Sequence, residues 1–453
     1  MALIRKYGSW VLFIVLTLLY VYFAFSVKRT DHSILIVGFL VLVVLSALLY
    51  FQVRFSHWTL LFSFGLLFRL AFLFSTPHLS NDFYRFTWDG ELAKDGYEVF
   101  EFLPKNYKDH ISPEDSTKYG ELYRAHSSEF PSGMNSKKYY SIYPTINQLV
   151  FVSAAAINIP NERNLIIMRA WILIAEIISF FVLRALLVRK NKQSLLGIYW
   201  LHPLIIIELT GNLHMEGMAI TFMLLAIYFA LKNKWVSYAF TASLAIMTKL
   251  TPLFLLGAMF RQFDFKRWFL SSALAVIVTF VLFFLILDLN GLVNFKSSFG
   301  LYFAWFSFNS GIFYALRDLT FLISGADISA TISLVFPFIT MLLFGYIIFL
   351  KTFDSVTTLL LLFTTYFFFS PIVHPWYITV LIPLGILSKK IFPLVWSILI
   401  FGTYIAYGSE FSQPMFWIYL EYFTIIYLLI KEFGLKGNWV KQLGETIYSP
   451  DTN

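Results

Sequence analysis

The sequence contains no cysteine, which excludes disulfides and any chemistry that runs through a thiolate. It is also poor in charge: Asp, Glu, Lys and Arg make up 13% of the 453 residues, where a water-soluble domain carries about 25%. No internal repeat is visible, which counts mildly against a transporter built from duplicated halves. What fills the space is apolar. Hydrophobic residues make up 58% of the chain and aromatic residues 20%, with 52 Phe. The solvent for such a surface is lipid. The net charge of +8 would suggest nucleic acid in a soluble protein. Here the positive-inside bias of membrane proteins is the simpler source, and nucleic acid is not expected.

The apolar runs predict an all-α, polytopic transmembrane bundle of about 11–14 spans. The first run, 10–27, follows Arg5 and Lys6. It is too long for a signal peptide and lacks a convincing small-residue cleavage site, so it reads as a retained anchor. Runs at 33–53 and 58–74 follow. The region 76–164 is the only sizeable polar stretch, a large outer loop after the third span, and its apolar part 148–159 reads as an interfacial helix. Further runs extend to residue 430, with 236–247 and 251–260 forming a hairpin of broken helices around Lys249 and Pro252. Residues 288–327 read as a polar-aromatic loop. With the N-terminus in the cytoplasm, the basic clusters at 5–6, 189–192, 232–234, 261–267, 389–390 and 431–441 all fall inside. Lys28-Arg29 is the exception. The same count puts 76–164, including Lys118, outside together with 211–216 and 370–376. The whole chain, 1–453, reads as one integral-membrane domain with 76–164 folded onto the bundle.

Candidate chemistry collects in those three outer stretches. Asn81-Asp82-Phe83-Tyr84-Arg85-Phe86-Thr87-Trp88-Asp89-Gly90 opens the polar region just past an apolar span. A carboxylate there can take a proton from a hydroxyl at the membrane surface. Either Asp82 or Asp89 could equally cap a helix or pair with Arg85. In the second stretch Glu208, His214 and Glu216 cluster around Gly211, either as a site or as a polar turn between spans. The i, i+2 spacing of His214 and Glu216 does not put both on one helix face, which argues against a two-ligand metal site there. His374 lies between Pro371 and Pro375, beside Trp376 and Tyr377, where it either donates to a phosphate or sugar or belongs to an aromatic belt. Lys249 and Arg169 are cations near span ends; snorkelling explains many such residues. Lys249 has no cytoplasmic end in reach and is the better candidate for an anionic ligand.

The run 81–90, with Gly96-Tyr97 downstream, resembles the first outer loop of the GT-C glycosyltransferases, in particular mannosyltransferase-like bacterial members. Ser141-Ile142-Tyr143-Pro144-Thr145-Ile146-Asn147-Gln148 is similar to their Tyr-Pro-Pro-x-x-Gln element, and 201–217, 249–252 and 374–377 look like further segments of that family. The sequence departs from the pattern at Gly96-Tyr97-Glu98-Val99-Phe100, at Thr145, and in the extra spans before Asp82. The resemblance implies an inverting hexosyltransferase, mannosyltransferase-like, in the bacterial inner membrane with its site on the outer, periplasmic side. Its donor is a sugar linked to polyprenyl phosphate; the acceptor is a lipid, a glycan or a protein. Asp82 matches the catalytic aspartate. Asp89 and Glu216 take acceptor or metal contacts, and Arg85, Lys249, His374, Arg169, His214 and Tyr143 bind donor phosphate or sugar. No cofactor is required by the pattern, and a divalent cation is left open. A flippase of lipid-linked sugars and an O-antigen-type polymerase or ligase are the competing readings.

Overall fold

The computed structural model describes residues 2–54, 57–105, 133–157, 163–305, 307–408 and 411–434, with 444 and 447. Lys118 and the rest of 106–132 therefore lie outside the described residues. The described chain is helical, without a strand; its β contacts are the isolated bridges Phe308 to Ile372 and Tyr407 to Phe411.

Three helices open the bundle: α1 (Ala2–Phe25), α2 (His32–Val53) and α3 (Trp58–Leu70). Beyond them α4 (Asp82–Lys94) and α5 (Thr145–Ala156) carry the two polar motifs, and α6 (Arg163–Val188) returns to the apolar pattern. The centre holds α7 (Glu216–Leu231) and α8 (Trp235–Ile246), followed by α9 (Phe265–Phe284). Residues expected to form a polar-aromatic loop fold instead as α10 (Leu289–Trp305) and α11 (Gly311–Ser324). Their apolar residues recur at helical spacing, so one side seats Phe295, Phe313 and Tyr314 in cores while Leu322 and Ile323 stay exposed. The bundle closes with α12 (Ser329–Gly345), α13 (Ser355–Phe368), α14 (Leu381–Ser388), α15 (Phe392–Leu399) and α16 (Met415–Leu429).

This is an integral membrane protein. Among the described residues five helices are long and apolar enough to cross a bilayer, six if the bent pair Gln193–Trp200 and Ile205–Gly211 is one span. Length alone yields fewer spans than the about 11–14 expected, because apolar segments are interrupted. The bent pair turns by 58°, and the segment after Lys249 runs through the 3-10 turn Thr251–Leu253 into the short helix Phe254–Ala258. Broken helices at membrane depth are tolerated where the freed backbone groups find partners inside the protein. The outward faces of α9 and α12 are lined with exposed Ile277, Phe280, Leu334 and Met341, a surface suited to acyl chains.

The polar motifs are tied to each other and to the bundle. Phe86 of α4 stacks on Phe151 of α5 at 4.7 Å, both buried in the main core. Gly90 makes that approach possible, since a Cβ there would lie 2.4 Å from the carbonyl oxygen of Phe151. The start of α5 is held by the Lys249 segment: Ile146 N donates to the carbonyl of Met247 at 3.0 Å, and Asn147 Nδ2 to that of Thr248 at 2.9 Å.

Candidate active site

A single cavity of about 450 Å³ lies where these segments meet. Asp82, Arg85, Tyr143, His214, Glu216, Lys249 and His374 all line it, although they come from stretches far apart in the chain. Asp89 and Arg169, from the same set of expectations, do not.

Asp82 is the first residue of α4, where the helix dipole favours a negative charge. Its amide donates to Ser80 Oγ at 3.2 Å, and Asn135 Nδ2 reaches its carboxylate at 3.5 Å. Burial raises its pKa above the ordinary carboxylate value, against the opposing influence of His214 and Lys249. That is the direction a general base needs.

One turn further on, Arg85 Nε donates to Asp89 Oδ1 at 2.6 Å and Arg85 Nη1 to the carbonyl of Tyr139 at 2.8 Å. Asp89 is fully buried and also accepts from Ser141 Oγ at 2.5 Å and Gln148 Nε2 at 3.0 Å. The expected acceptor or metal contact does not fit this placement: its oxygens hold α4 against the 139–148 segment. Arg85 Nη2 is buried with no hydrogen-bond partner among the described residues, so Arg85 still has a donor for a ligand.

Lys249 forms an ion pair with Glu216, and its Nζ lies 3.7 Å from the centre of the Tyr377 ring. Their charges offset each other at the cavity wall. His214 stacks on Trp376 at 3.8 Å, and Trp376 on His374 at 4.3 Å, so an indole is held between two imidazoles. His214 Nδ1 faces the carbonyl of Glu208 at 2.9 Å and its carboxylate at 3.3 Å. Both are acceptors, so Nδ1 faces them as a donor, which leaves Nε2 turned away from Glu208. That Nε2 has no partner among the described residues. Glu208 is fixed in turn by Tyr404 Oη, which donates to it at 2.8 Å. His374 sits in the loop before the short helix Pro375–Ile378, and burial lowers its pKa well below the usual imidazole value. It acts as a neutral ring, able to donate one hydrogen bond.

Arg169 is fully buried and donates to the carbonyls of Thr210, Leu73 and Gly211 at 2.9, 2.9 and 3.1 Å. The expected donor-binding role does not fit that position. It clamps the end of the π-helix Ile205–Gly211, from which the chain turns through Leu213, at φ 61°, to present His214. A second buried pair, Arg69 with Glu176 at 3.1 Å, supports the same end, since Thr210 donates to Glu176. Sequence reasoning missed Glu176. A lone Glu inside the α6 run was the available signal.

Among the described residues no group of three or more His, Asp or Glu is placed to hold a metal ion, and the Glu216 carboxylate is already held by Lys249.

Residues 146–262 match the model of a family described as alpha-(1->6)-mannopyranosyltransferase, N-terminal domain. This is a GT-C-type mannosyltransferase family, and the matched segment includes Gln148, Arg169, Glu208, His214, Glu216 and Lys249. Asp82 and His374 lie outside it. No curated protein and no solved structure matches the chain.

Proposed function

We propose that this chain, similar to a GT-C-type mannosyltransferase family over its central segment, is an inverting glycosyltransferase that moves a hexose, mannose foremost, from a polyprenyl-phosphate donor to an acceptor hydroxyl. The observation that carries the reading is the lining of one cavity by Asp82, His214, Glu216, Lys249 and His374. A half-lipid substrate suits a cavity that mixes charged with aromatic and apolar lining in an otherwise lipid-facing bundle.

In this reading the acceptor hydroxyl attacks the anomeric carbon from the face opposite the phosphate. Its proton passes to the Asp82 carboxylate. The bond from the anomeric carbon to the phosphate oxygen breaks, and its electron pair leaves with that oxygen. Proton removal by a positioned carboxylate contributes about 10²–10⁴-fold. Arg85 Nη2, Lys249 and the His374 ring supply donors toward phosphate and sugar. Trp376, stacked between His214 and His374, fixes both imidazoles in the cavity wall. Tyr143, half-buried in the lining, adds a second aromatic wall. The reaction faces the outer, periplasmic side of a bacterial inner membrane, with the described residues of 76–164 packed on the bundle as part of one domain.

The test is incubation of the purified full chain with lipid-linked mannose and a mixed pool of lipid and glycan acceptors. Appearance of a mannosylated product supports the reading. Movement of intact lipid-linked sugar across vesicles, with no transfer, would favour a flippase instead.

A further inference from the structure

The cations of the cavity are not equal. Arg85 is paired with Asp89 and Lys249 with Glu216, so each has a carboxylate against it. Arg29 is the third, and it was notable in the sequence only as an outer basic residue that the positive-inside pattern does not explain. It sits on the short turn between α1 and α2, yet it lines the cavity. Its guanidinium lies over the Tyr407 ring at 4.9 Å, a contact that leaves its N–H groups available. The nearby Asp31 carboxylate is turned to the backbone of the same turn, accepting from Lys28 N at 3.1 Å. Among the described residues Arg29 forms no ion pair. Tyr407, beneath it, lies close enough to feel the charges of both Arg29 and Asp82.

Once the internal pairs are set aside, Asp82 and Arg29 are the anion and cation of the cavity lining that form no ion pair among the described residues. We propose that Arg29 binds the phosphate of the lipid-linked donor and takes the charge released on it as the leaving group departs. The N-terminal hairpin of α1 and α2 is thereby part of the active site and more than an anchor. The inference rests on the glycosyl-transfer reading above. When the bond to the anomeric carbon breaks, its electron pair stays on the phosphate oxygen, turning a singly charged diester into a monoester with a second negative charge. A planar guanidinium matches two phosphate oxygens at once, so it holds that product better than an ammonium does.

The full chain in detergent tests this with Arg29→Gln, Arg29→Lys and, on the same turn, Lys28→Gln. The probes are polyprenyl monophosphate, with inorganic phosphate as a competitor, and transfer from lipid-linked mannose. Expected are a 10- to 100-fold loss of monophosphate affinity in Arg29→Gln, a smaller loss in Arg29→Lys and none in Lys28→Gln. Inorganic phosphate should compete weakly, since it lacks the chain that anchors the ligand; equal competition would overturn the lipid source and leave a free-phosphate site. Thermal unfolding of each variant separates misfolding from lost binding. Wild-type monophosphate affinity in a folded Arg29→Gln overturns the proposal while wild-type transfer stands. A wild-type chain that neither transfers sugar nor binds the monophosphate fails the broader reading first.

Discussion

Arg85 Nε and Asp89 Oδ1 face each other at 2.6 Å across one turn of α4, both shielded from solvent. Two aspartates seven residues apart therefore have different surroundings, Asp82 in the cavity lining and Asp89 in the packing behind it. Removing one partner of a buried pair costs about 3–5 kcal/mol, because the other charge is left without compensation. Asp89→Asn should lower the thermal midpoint and protein yield, with activity falling in step. Asp82→Asn should leave both near wild type. Equal midpoints for the two variants would contradict this division.

The Lys249–Glu216 pair makes a second prediction. Lys249→Met removes a phosphate donor and leaves Glu216 uncompensated in the cavity. Donor affinity should fall by about 10- to 100-fold, as a charge-assisted contact worth about 1.5–3 kcal/mol implies. Arg189→Gln, in the basic cluster just after α6, should leave donor affinity unchanged. Donor titration of both variants checks it; equal, small effects would remove Lys249 from the site.

The raised pKa of Asp82 sets a pH dependence of known sign. The folded state holds this proton more tightly than the unfolded chain. Its stabilising contribution is therefore complete below the ordinary value of 3.8 and is lost as pH rises through the raised folded value. At neutral pH the ionised Asp82 costs stability, so Asp82→Asn should melt at or above the wild-type temperature there and converge with it in acid. Turnover should show the opposite trend, falling on the acid side as the carboxylate takes up its proton. A turnover profile with no acid limb above pH 3.8 would contradict the raised value.

Gly90 carries a structural prediction. Gly90→Ala places a methyl group against the Phe151 backbone, which cannot retreat as a side-chain end can. Overpacking of this kind costs about 1–3 kcal/mol. Thermal unfolding should show the loss, and a midpoint unchanged by Gly90→Ala would mean that α4 and α5 do not touch there.

Much of this was legible in the sequence because hydropathy and basic loops constrain a membrane chain strongly. The helical class followed from the apolar runs, and the breaks at Gly211 and Lys249 from polar residues and proline inside them. The cavity lined by Asp82, Glu216 and His374 joins stretches that crossing parity placed on one face. Other features were hidden because they depend on three-dimensional partners. The sequence left Asp89 open between a site residue and a partner for Arg85, and only the packing of Ser141 and Gln148 around it separates the two. Arg169 looked like a ligand cation, but its guanidinium is used by three backbone carbonyls freed where a helix ends. Arg29 is separated from Tyr407 by most of the chain, and no local pattern reports that contact. Residues 288–327 read as loop because their aromatic and polar residues alternate in type, while their apolar spacing is helical.

The central claim is that Asp82 removes the acceptor proton, and single-turnover transfer from lipid-linked mannose by Asp82→Asn tests it most directly. Asparagine keeps the size and most hydrogen bonds of aspartate but cannot accept a proton at neutral pH. Transfer should be slower by about 10²-fold or more, with donor affinity and thermal midpoint not reduced. Transfer at the wild-type rate in a folded Asp82→Asn would contradict it.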